Sequence, residues 1–432
     1  MLLYARYLAA KGQVSTDSRQ PQPGTLFFAL NGPRFRGVDF APQALAQGAS
    51  HALVDDAALA ATDPAHYTFV ADPLVALQEL ARYHRRQFTG PVLAITGSNG
   101  KTTTKELVTA VLAQQFRVLA TSSNLNNHIG VPLTLLRLRP GEHDVAVIEM
   151  GASHRGEIVG YCAYTEPTHG LITNIGKAHL EGFGGPEGVA LGKGELFDYL
   201  ARTGSTAFVN TLDARLPGLA ASVATCLTYP GPADTYPTTL LAAYPALRLR
   251  LTDGTPVRVP ITGDYNFPNL AAAAAVGQHF GISPAEVAAA LAGYAPPNNR
   301  SQVLRTAAGN DVVLDAYNAN PNSVAAALRS FAHRPSAPGQ TKLVVLGDML
   351  ELGAASSYEH RAVGELQAWL PLPQALLIGP EMAAAAAAFP QAQHVGTKAE
   401  AVDWLHRHPV RGQQVLVKGS RGLALETLVE LL

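Results

Sequence analysis

The run Ile95-Thr96-Gly97-Ser98-Asn99-Gly100-Lys101-Thr102-Thr103 constrains this chain more than any other segment. Val92-Leu93-Ala94-Ile95 before it reads as a short buried strand, and Lys105–Leu112 after it reads as a helix. A strand, a glycine loop and a helix in that order aim backbone N–H groups and a helix N-terminus at a polyphosphate. Gly97, Ser98, Asn99 and Gly100 would form the loop, with Lys101 neutralising the outer phosphates. The Thr102 hydroxyl would sit on Mg²⁺, with Thr103 beside it. The usual pattern has a glycine five positions before Gly100, and Ile95 stands there instead. The cradle is therefore a variant one.

With 432 residues the chain is too long for one ordinary core and predicts about two to four domains. A net charge of −1 gives no broad basic face for nucleic acid. The two cysteines, Cys162 and Cys226, cannot build a disulfide framework and fit a reduced, cytoplasmic protein. No apolar run is long enough to span a bilayer, and Arg6 interrupts the apolar N-terminus, so neither membrane insertion nor a signal peptide is expected. The alanine runs Ala271–Ala275 and Ala383–Ala388 look like tightly packed helices, but plain helix propensity explains them and is the reading adopted.

Strands and helices alternate along the chain, which predicts an α/β fold with parallel sheets whose ligands lie at the strands' carboxyl ends. The first segment has strands at Leu26–Leu30 and Ala52–Val54, and helices at Ala41–Gly48 and Leu74–Phe88. Thr89-Gly90-Pro91 marks a boundary before the cradle strand. Val145–Met150 and Gly170–Ile175 read as further buried strands, and Tyr229–Pro260 as antiparallel strands and turns. Gly263-Asp264-Tyr265-Asn266 opens an alanine-rich helix, and Pro296-Pro297-Asn298-Asn299-Arg300 is a linker. After it, strands at Val312–Asp315, Leu343–Leu346, Ala375–Ile378 and Gln414–Val417 make a Rossmann-like pattern without a dinucleotide glycine fingerprint. The predicted domains are 1–86, 87–297 and 298–432.

Several residues stand where chemistry could occur. Glu149 ends a buried strand, where a carboxylate can hold the nucleotide's Mg²⁺ opposite Thr102. A helix-capping or ion-paired acid is the lesser, competing reading. His179, at the end of the next strand, is a metal or acid–base candidate, although alone it would pass for a loop histidine. Lys193 alone would pass for a surface lysine.

Taken together, these pieces resemble the Mur ligase family, the ATP-dependent amide-forming enzymes of bacterial cell-wall synthesis. The resemblance runs end to end. It rests on Thr16-Asp17-Ser18-Arg19, Pro23-Gly24-Thr25-Leu26-Phe27, the cradle, Asn124-Leu125-Asn126-Asn127 and Glu149-Met150-Gly151-Ala152. It continues through Lys177-Ala178-His179-Leu180-Glu181-Gly182-Phe183, Asp315-Ala316-Tyr317-Asn318-Ala319-Asn320-Pro321, Gly347-Asp348-Met349-Leu350-Glu351-Leu352-Gly353 and Lys418-Gly419-Ser420-Arg421. The Tyr317–Pro321 segment separates the chain from relatives that add diaminopimelate or lysine.

The resemblance implies three domains: an N-terminal UDP-binding α/β domain, a central P-loop ATPase domain, and a C-terminal Rossmann-like domain that closes over the site and binds the amine. It implies the joining of D-alanyl-D-alanine to UDP-N-acetylmuramoyl-tripeptide through an acyl phosphate, by a cytoplasmic monomer. ATP and two Mg²⁺ are the implied cofactors. One ion would lie on Thr102 and Glu149, the other on His179 and a carbamate formed on Lys193 from carbon dioxide. Lys101, Glu149, His179 and Lys193 would be the catalytic set. Asn266 and Asn269 match adenine-side residues, with Tyr265 where the family has a histidine. Arg300 and Asp315 match residues brought to the phosphates and ribose. Ser18 and Arg19 match UDP contacts, and Asn126 and Asn127 match muramoyl-peptide contacts. Asn318, Asn320, Asp348 and Glu351 fall where the dipeptide would be read; for each, a turn or helix-cap role is the competing reading. Two alternatives remain open: a folate-polyglutamylating ligase, against which the Thr16–Arg19 and Tyr317–Pro321 segments argue, and a nucleotide-gated regulatory protein that has lost catalysis.

Overall fold

The computed structural model describes residues 2–20, 22–295 and 300–432. Residues 296–299 of the expected linker lie outside the described residues. Among the described residues, nineteen strands form four sheets. The first contains β1 (Val14–Ser15), β2 (Leu26–Phe28), β3 (His51–Val54) and β4 (Tyr67–Phe69), paired in chain order and all parallel. Its core joins Phe27, Ala29, Val38, Ala52 and Val54.

The second sheet contains β5 (Val92–Thr96), β6 (Val118–Ala120), β7 (Val145–Glu149), β8 (His169–Ile172), β9 (Thr206–Asn210) and β10 (Thr225–Tyr229). Its strand order is β10-β9-β8-β5-β7-β6. Every residue of β5 and β7 is buried. Strands covered on both faces read in sequence as unbroken apolar runs, which is why Val92–Ile95 and Val145–Ile148 were legible. The third sheet, β11 (Thr239–Ala242), β12 (Leu247–Arg250) and β13 (Pro256–Val259), is antiparallel. Leu247 and Leu249 are buried while Arg248 and Arg250 face out, the alternation of a sheet with one wet face. Tyr229 does not open this sheet: it closes β10, paired in parallel with Asn210.

The fourth sheet contains β14 (Gln302–Arg305), β15 (Asp311–Asp315), β16 (Lys342–Gly347), β17 (Gln374–Ile378), β18 (Gln393–Val395) and β19 (Gln414–Lys418), in the order β14-β15-β19-β16-β17-β18. Only the edge strand β14 is antiparallel to its neighbour. Val312, Leu343, Val345, Leu376, Val415 and Val417 meet in its core.

The chain divides into two compact units. One comprises Met1–Ala94, Phe116–Gly151 and Glu157–Gly170; the other comprises Ile95–Gln115, Ala152–Gly156 and Leu171–Leu432. No described helix is long and apolar enough to cross a membrane; Cys162 is buried and Cys226 exposed, and the two form no disulfide with each other.

Helix boundaries follow local chemistry. The helix expected over Leu74–Phe88 spans Pro73–Arg85, because the Asp72 carboxylate accepts the N–H groups of Leu74 and Val75 and Pro73 takes the first helical position. The cradle helix, Lys101–Leu112, starts a turn earlier than Lys105. The two alanine runs behave differently. Ala271–Ala275 is buried throughout helix Phe267–His279. Helix Ala383–Ala388 buries only Ala385 among its alanines; Met382 and Phe389 at its two ends supply the rest of its burial. The second run is therefore mostly solvent-facing, as plain helix propensity allows, and packs through Ala385 alone among its alanines.

Candidate functional site

The cradle is shaped by two glycines that enforce its turns. Gly97 has φ 138°, and a Cβ there would lie 2.1 Å from the Thr173 hydroxyl oxygen. Gly100 caps the cradle helix at φ 78°, where a Cβ would lie 2.4 Å from Asn269 Oδ1. Neither position admits a side chain. Lys101 Nζ curls back to donate to the carbonyls of Gly97 (2.7 Å) and Ser98 (3.3 Å). Thr102 is buried in the first helical turn and Thr103 is half-buried.

The loop is braced from behind by the end of β8. Asn99 donates its N–H to Asn174 Oδ1 (3.1 Å), and its carbonyl accepts from Thr173 Oγ1 (2.6 Å) and Asn174 Nδ2 (3.0 Å). Ser98 exchanges bonds with Gly176: its N–H goes to the Asn174 carbonyl, its Oγ donates to the Gly176 carbonyl, and the Gly176 N–H donates to that Oγ. The first helical turn carries no acid to repel an anion. The cradle thus fits a polyphosphate.

Asn269 stands directly behind Gly100 and receives the Thr104 hydroxyl at 3.1 Å. Asn269 Nδ2 donates to Asn266 Oδ1, and Asn266 Nδ2 donates to the Thr262 carbonyl and Ser301 Oγ. The Tyr265 hydroxyl bonds Ser301 Oγ at 3.0 Å, and burial pushes its pKa far up. A Tyr265 hydroxyl held by Ser301 is anchored to the chain that follows the linker.

His179 occupies a left-handed position (φ 52°) at the start of the short helix Leu180–Phe183. Its Nδ1 pairs with the carboxylate of Glu351, which is also left-handed at φ 62°. Burial lowers the His179 pKa; Glu351 opposes that shift, while the charges of Lys101 and Lys193 add to it. Those influences place Lys101, His179, Lys193 and Glu351 in one electrostatic neighbourhood. A carboxylate on one ring nitrogen is the arrangement that presents the other nitrogen to a metal.

Lys193, on helix Pro186–Thr203, is 1% exposed, far from the surface lysine its local sequence implied. Nζ donates to the Ala152 carbonyl at 2.7 Å and lies 4.9 Å from the centre of the Phe183 ring. Among the described residues no cluster of three or more His, Cys, Asp or Glu side chains forms a protein-only metal cage. A Mg²⁺ bound mainly by phosphates, water and one or two protein oxygens needs no such cage.

Further along, Asp315 ends β15 with Oδ2 on the buried Lys418 Nζ (2.7 Å) and Oδ1 receiving the Ser301 N–H. The Arg300 guanidinium stacks 3.6 Å from the centre of the Tyr317 ring. Asn318 is exposed, its Oδ1 receiving the Ala319 N–H. Asn320 caps helix Pro321–His333 by accepting the Ser323 N–H, and its Nδ2 donates to Asn99 Oδ1 in the cradle at 2.7 Å. Asp348 is buried, accepts the Met382 N–H, and has its pKa raised chiefly by that burial.

In the other unit, Glu149 is 1% exposed; Oε1 accepts from Asn126 Nδ2 (2.8 Å) and its N–H goes to Thr121 Oγ1. Gly151 lets the Asn126 amide approach, since a Cβ there would be 2.9 Å from it. Asn127 Oδ1 accepts the Ile129 and Gly130 N–H groups at the start of helix Gly130–Leu135. Ser18 is buried. Arg19 is exposed and grips Asp17, holding that carboxyl down at about 2.

Sequence reasoning missed Thr173, Asn174, Lys177, Ser301, Asn322, Glu359 and the brace on Lys418. Lys177 and Lys418 lay inside motifs already singled out; the others carry no pattern, because their partners are distant in sequence.

A nucleotide cradle with a buried lysine and a carboxylate-held histidine in its neighbourhood defines a phosphate-handling α/β enzyme. Three family models match the chain: "Mur ligase family, catalytic domain" over residues 12–85, "Mur ligase middle domain" over 95–277, and "Mur ligase, glutamate ligase domain" over 299–421. The chain belongs to the Mur ligase family. It is 37% identical over 430 residues to the UDP-N-acetylmuramoyl-tripeptide–D-alanyl-D-alanine ligase of Escherichia coli (strain K12), covering 97% of this chain and 93% of that one. A crystal structure of MurF from Acinetobacter baumannii superposes with a TM-score of 0.87 at 32% identity, covering 99% of this chain and 97% of that one. The MurF ligase from Thermotoga maritima in complex with ADP gives a TM-score of 0.84 at 25% identity, with 97% and 96% covered.

Proposed function

We propose that this protein is an ATP-dependent ligase that joins D-alanyl-D-alanine to UDP-N-acetylmuramoyl-tripeptide in peptidoglycan precursor synthesis. The supporting observation is the end-to-end likeness to enzymes of that name, with the cradle, His179 and Lys193 all intact. The three matched segments support domains at 1–86, 87–297 and 298–432.

The chemistry is the attack of the tripeptide's terminal carboxylate on the γ-phosphate of ATP, giving an acyl phosphate and ADP. The amine of the dipeptide then adds to the acyl carbon, and phosphate leaves as the amide forms. Lys101 and the N–H groups of the cradle hold the phosphates, and buried Asn266 and Asn269 lie on the adenine side. Thr102 and Glu149 would hold one Mg²⁺; His179 and a carbamate on Lys193 would hold a second. Two bound cations would let an anionic carboxylate approach an anionic phosphate. The carbamate reading draws support from the burial of Lys193: an amine at 1% exposure is costly as a structural choice. Arg300 and Asp315 serve the phosphate and ribose, Ser18 and Arg19 the UDP, and Asn126 and Asn127 the muramoyl peptide. Asn318, Asn320, Asp348 and Glu351 border the dipeptide. We assign the protein to the cytoplasm, acting as a monomer on small molecules.

Phosphate release from ATP with UDP-N-acetylmuramoyl-tripeptide, with and without D-alanyl-D-alanine, tests this. Release that depends on the dipeptide, with a pentapeptide product by mass, is the expected result. Release without that product would refute the substrate assignment.

A further inference from the structure

The loop after β8 is gripped by residues that come from beyond the linker. The Lys177 N–H donates to Asn322 Oδ1 at 2.6 Å, and Lys177 Nζ lies 2.6 Å from Glu359 Oε1. Glu359 sits on helix Ser356–Trp369 and is 5% exposed. Its charge is buried against a lysine from another sheet's loop, and a buried carboxylate needs such a partner. Gly176 lies between two amides: a Cβ there would be 3.3 Å from Asn322 and 3.4 Å from Asn99. Asn320 Nδ2 reaches Asn99 Oδ1 in the cradle at 2.7 Å. Just downstream, on the short helix Leu180–Phe183, Glu181 packs against Gly353, whose Cβ would stand 3.1 Å from it.

These contacts share a layout. On one side are the cradle residue Asn99 and the loop that carries His179. On the other are Asn320 and Asn322 at the N-terminus of helix Pro321–His333, and Glu359. The groups that would hold phosphate and those next to the proposed dipeptide site therefore share one hydrogen-bond network.

We infer that Lys177, Asn322 and Glu359 form a latch that positions the dipeptide-binding lobe on the nucleotide loop. They are positioning residues and touch no reacting atom. The latch rests on the ligase reading for its kinetic consequence but not for its structural one. When the latch is broken, the acyl phosphate still forms while capture of the dipeptide suffers. Coupling between two sites through a network of this kind is worth about 5- to 150-fold in affinity.

The test uses the full chain carrying Glu359→Gln, Asn322→Ala or Lys177→Met, and the exchanged pair Lys177→Glu with Glu359→Lys. Two readouts are taken. One is hydrogen exchange of the peptide spanning residues 176–181 without ligands; the other is KM for D-alanyl-D-alanine against KM for ATP and kcat. In E359Q and N322A, exchange in 176–181 should rise although the substitutions lie on other elements. KM for the dipeptide should rise about tenfold or more, KM for ATP should change little, and the exchanged pair should recover part of the loss. Unchanged exchange in both E359Q and N322A overturns the latch, as does an equal rise in both KM values. Should the parent enzyme show no dipeptide-dependent phosphate release, the ligase reading fails. Raised exchange in the variants would then still establish the latch.

Discussion

Replacing Gly97 with alanine gives a demanding test of the cradle. The new methyl carbon would sit 2.1 Å from Thr173 Oγ1, 3.0 Å from the Thr173 nitrogen and 3.2 Å from the Asn174 nitrogen. The residue would also have to hold φ 138°, a conformation that costs a non-glycine residue about 1–3 kcal/mol. The Thr173 hydroxyl cannot simply rotate away, because it donates a 2.6 Å bond to the Asn99 carbonyl. Losing that bond costs about 1 kcal/mol more. The total, about 2–4 kcal/mol, falls on the loop that must present its N–H groups to phosphate. At 1.36 kcal/mol per decade this predicts about a 30- to 1,000-fold loss in kcat/KM for ATP. Initial rates of phosphate release across ATP concentrations would measure it, beside a calorimetric titration with a non-hydrolysable ATP analogue. Gly204→Ala is the control: φ there is 67°, but nothing lies within 4 Å of the added carbon, so kinetics should stay at the parent level. A kcat/KM for Gly97→Ala within threefold of the parent would refute the claim that this glycine shapes a working cradle.

Lys101→Ala should abolish ATP turnover and also release the carbonyls of Gly97 and Ser98 from their shared donor; retained phosphate release would remove the cradle from the mechanism. Lys193→Ala should cost orders of magnitude in rate, and added formate or acetate should restore part of it by supplying ligand oxygens; ordinary activity in the variant would sink the carbamate. Asp144, held at about 2 against the usual 3.8 by hydrogen bonds from Arg117, contributes stability above the ordinary carboxylate range and loses it as pH falls towards 2. The Asp144→Asn variant should therefore melt below the parent at pH 6 to 7 and alongside it near pH 2, as differential scanning fluorimetry would read; a gap independent of pH would refute the linkage.

The parts of the fold legible in sequence were those with unbroken local signals. Val92–Ile95, Val145–Ile148 and Val312–Leu314 are apolar runs of strand length, and all lie buried in sheets. The cradle was legible for the same reason, since Gly97, Gly100 and Lys101 act within one turn of each other. Helix Lys101–Leu112 began earlier than its apolar pattern showed because Gly100, not a hydrophobic residue, determines its start. Strand β14, Gln302–Arg305, was invisible: its residues alternate between half-buried and exposed at a sheet edge. At the candidate site the motifs nominated residues but not what each touches. Nothing near Lys193 announces that it is buried under Phe183, and nothing near Asn320 announces that its amide reaches back to Asn99 across 221 positions of chain. Such pairings are products of tertiary folding, and no local period encodes them.

Gly364 gives the helix that bears Glu359 a mechanical character. At that point helix Ser356–Trp369 runs so close to helix Ala383–Ala388 that a Cβ would lie 2.1 Å from the Ala385 carbonyl oxygen. Just before the second helix, the Met382 N–H is fastened to the Asp348 carboxylate, and Gly379 leaves room for that carboxylate where a Cβ would strike it at 2.3 Å. The two helices therefore act as a stiff lever with Gly364 as its fulcrum, one arm reaching Lys177 through Glu359 and the other ending at Asp348. A single methyl at Gly364 would strike the Ala385 carbonyl and force the two helices apart, a strain carried to Glu359 on one and to the Met382–Asp348 bond beside the other.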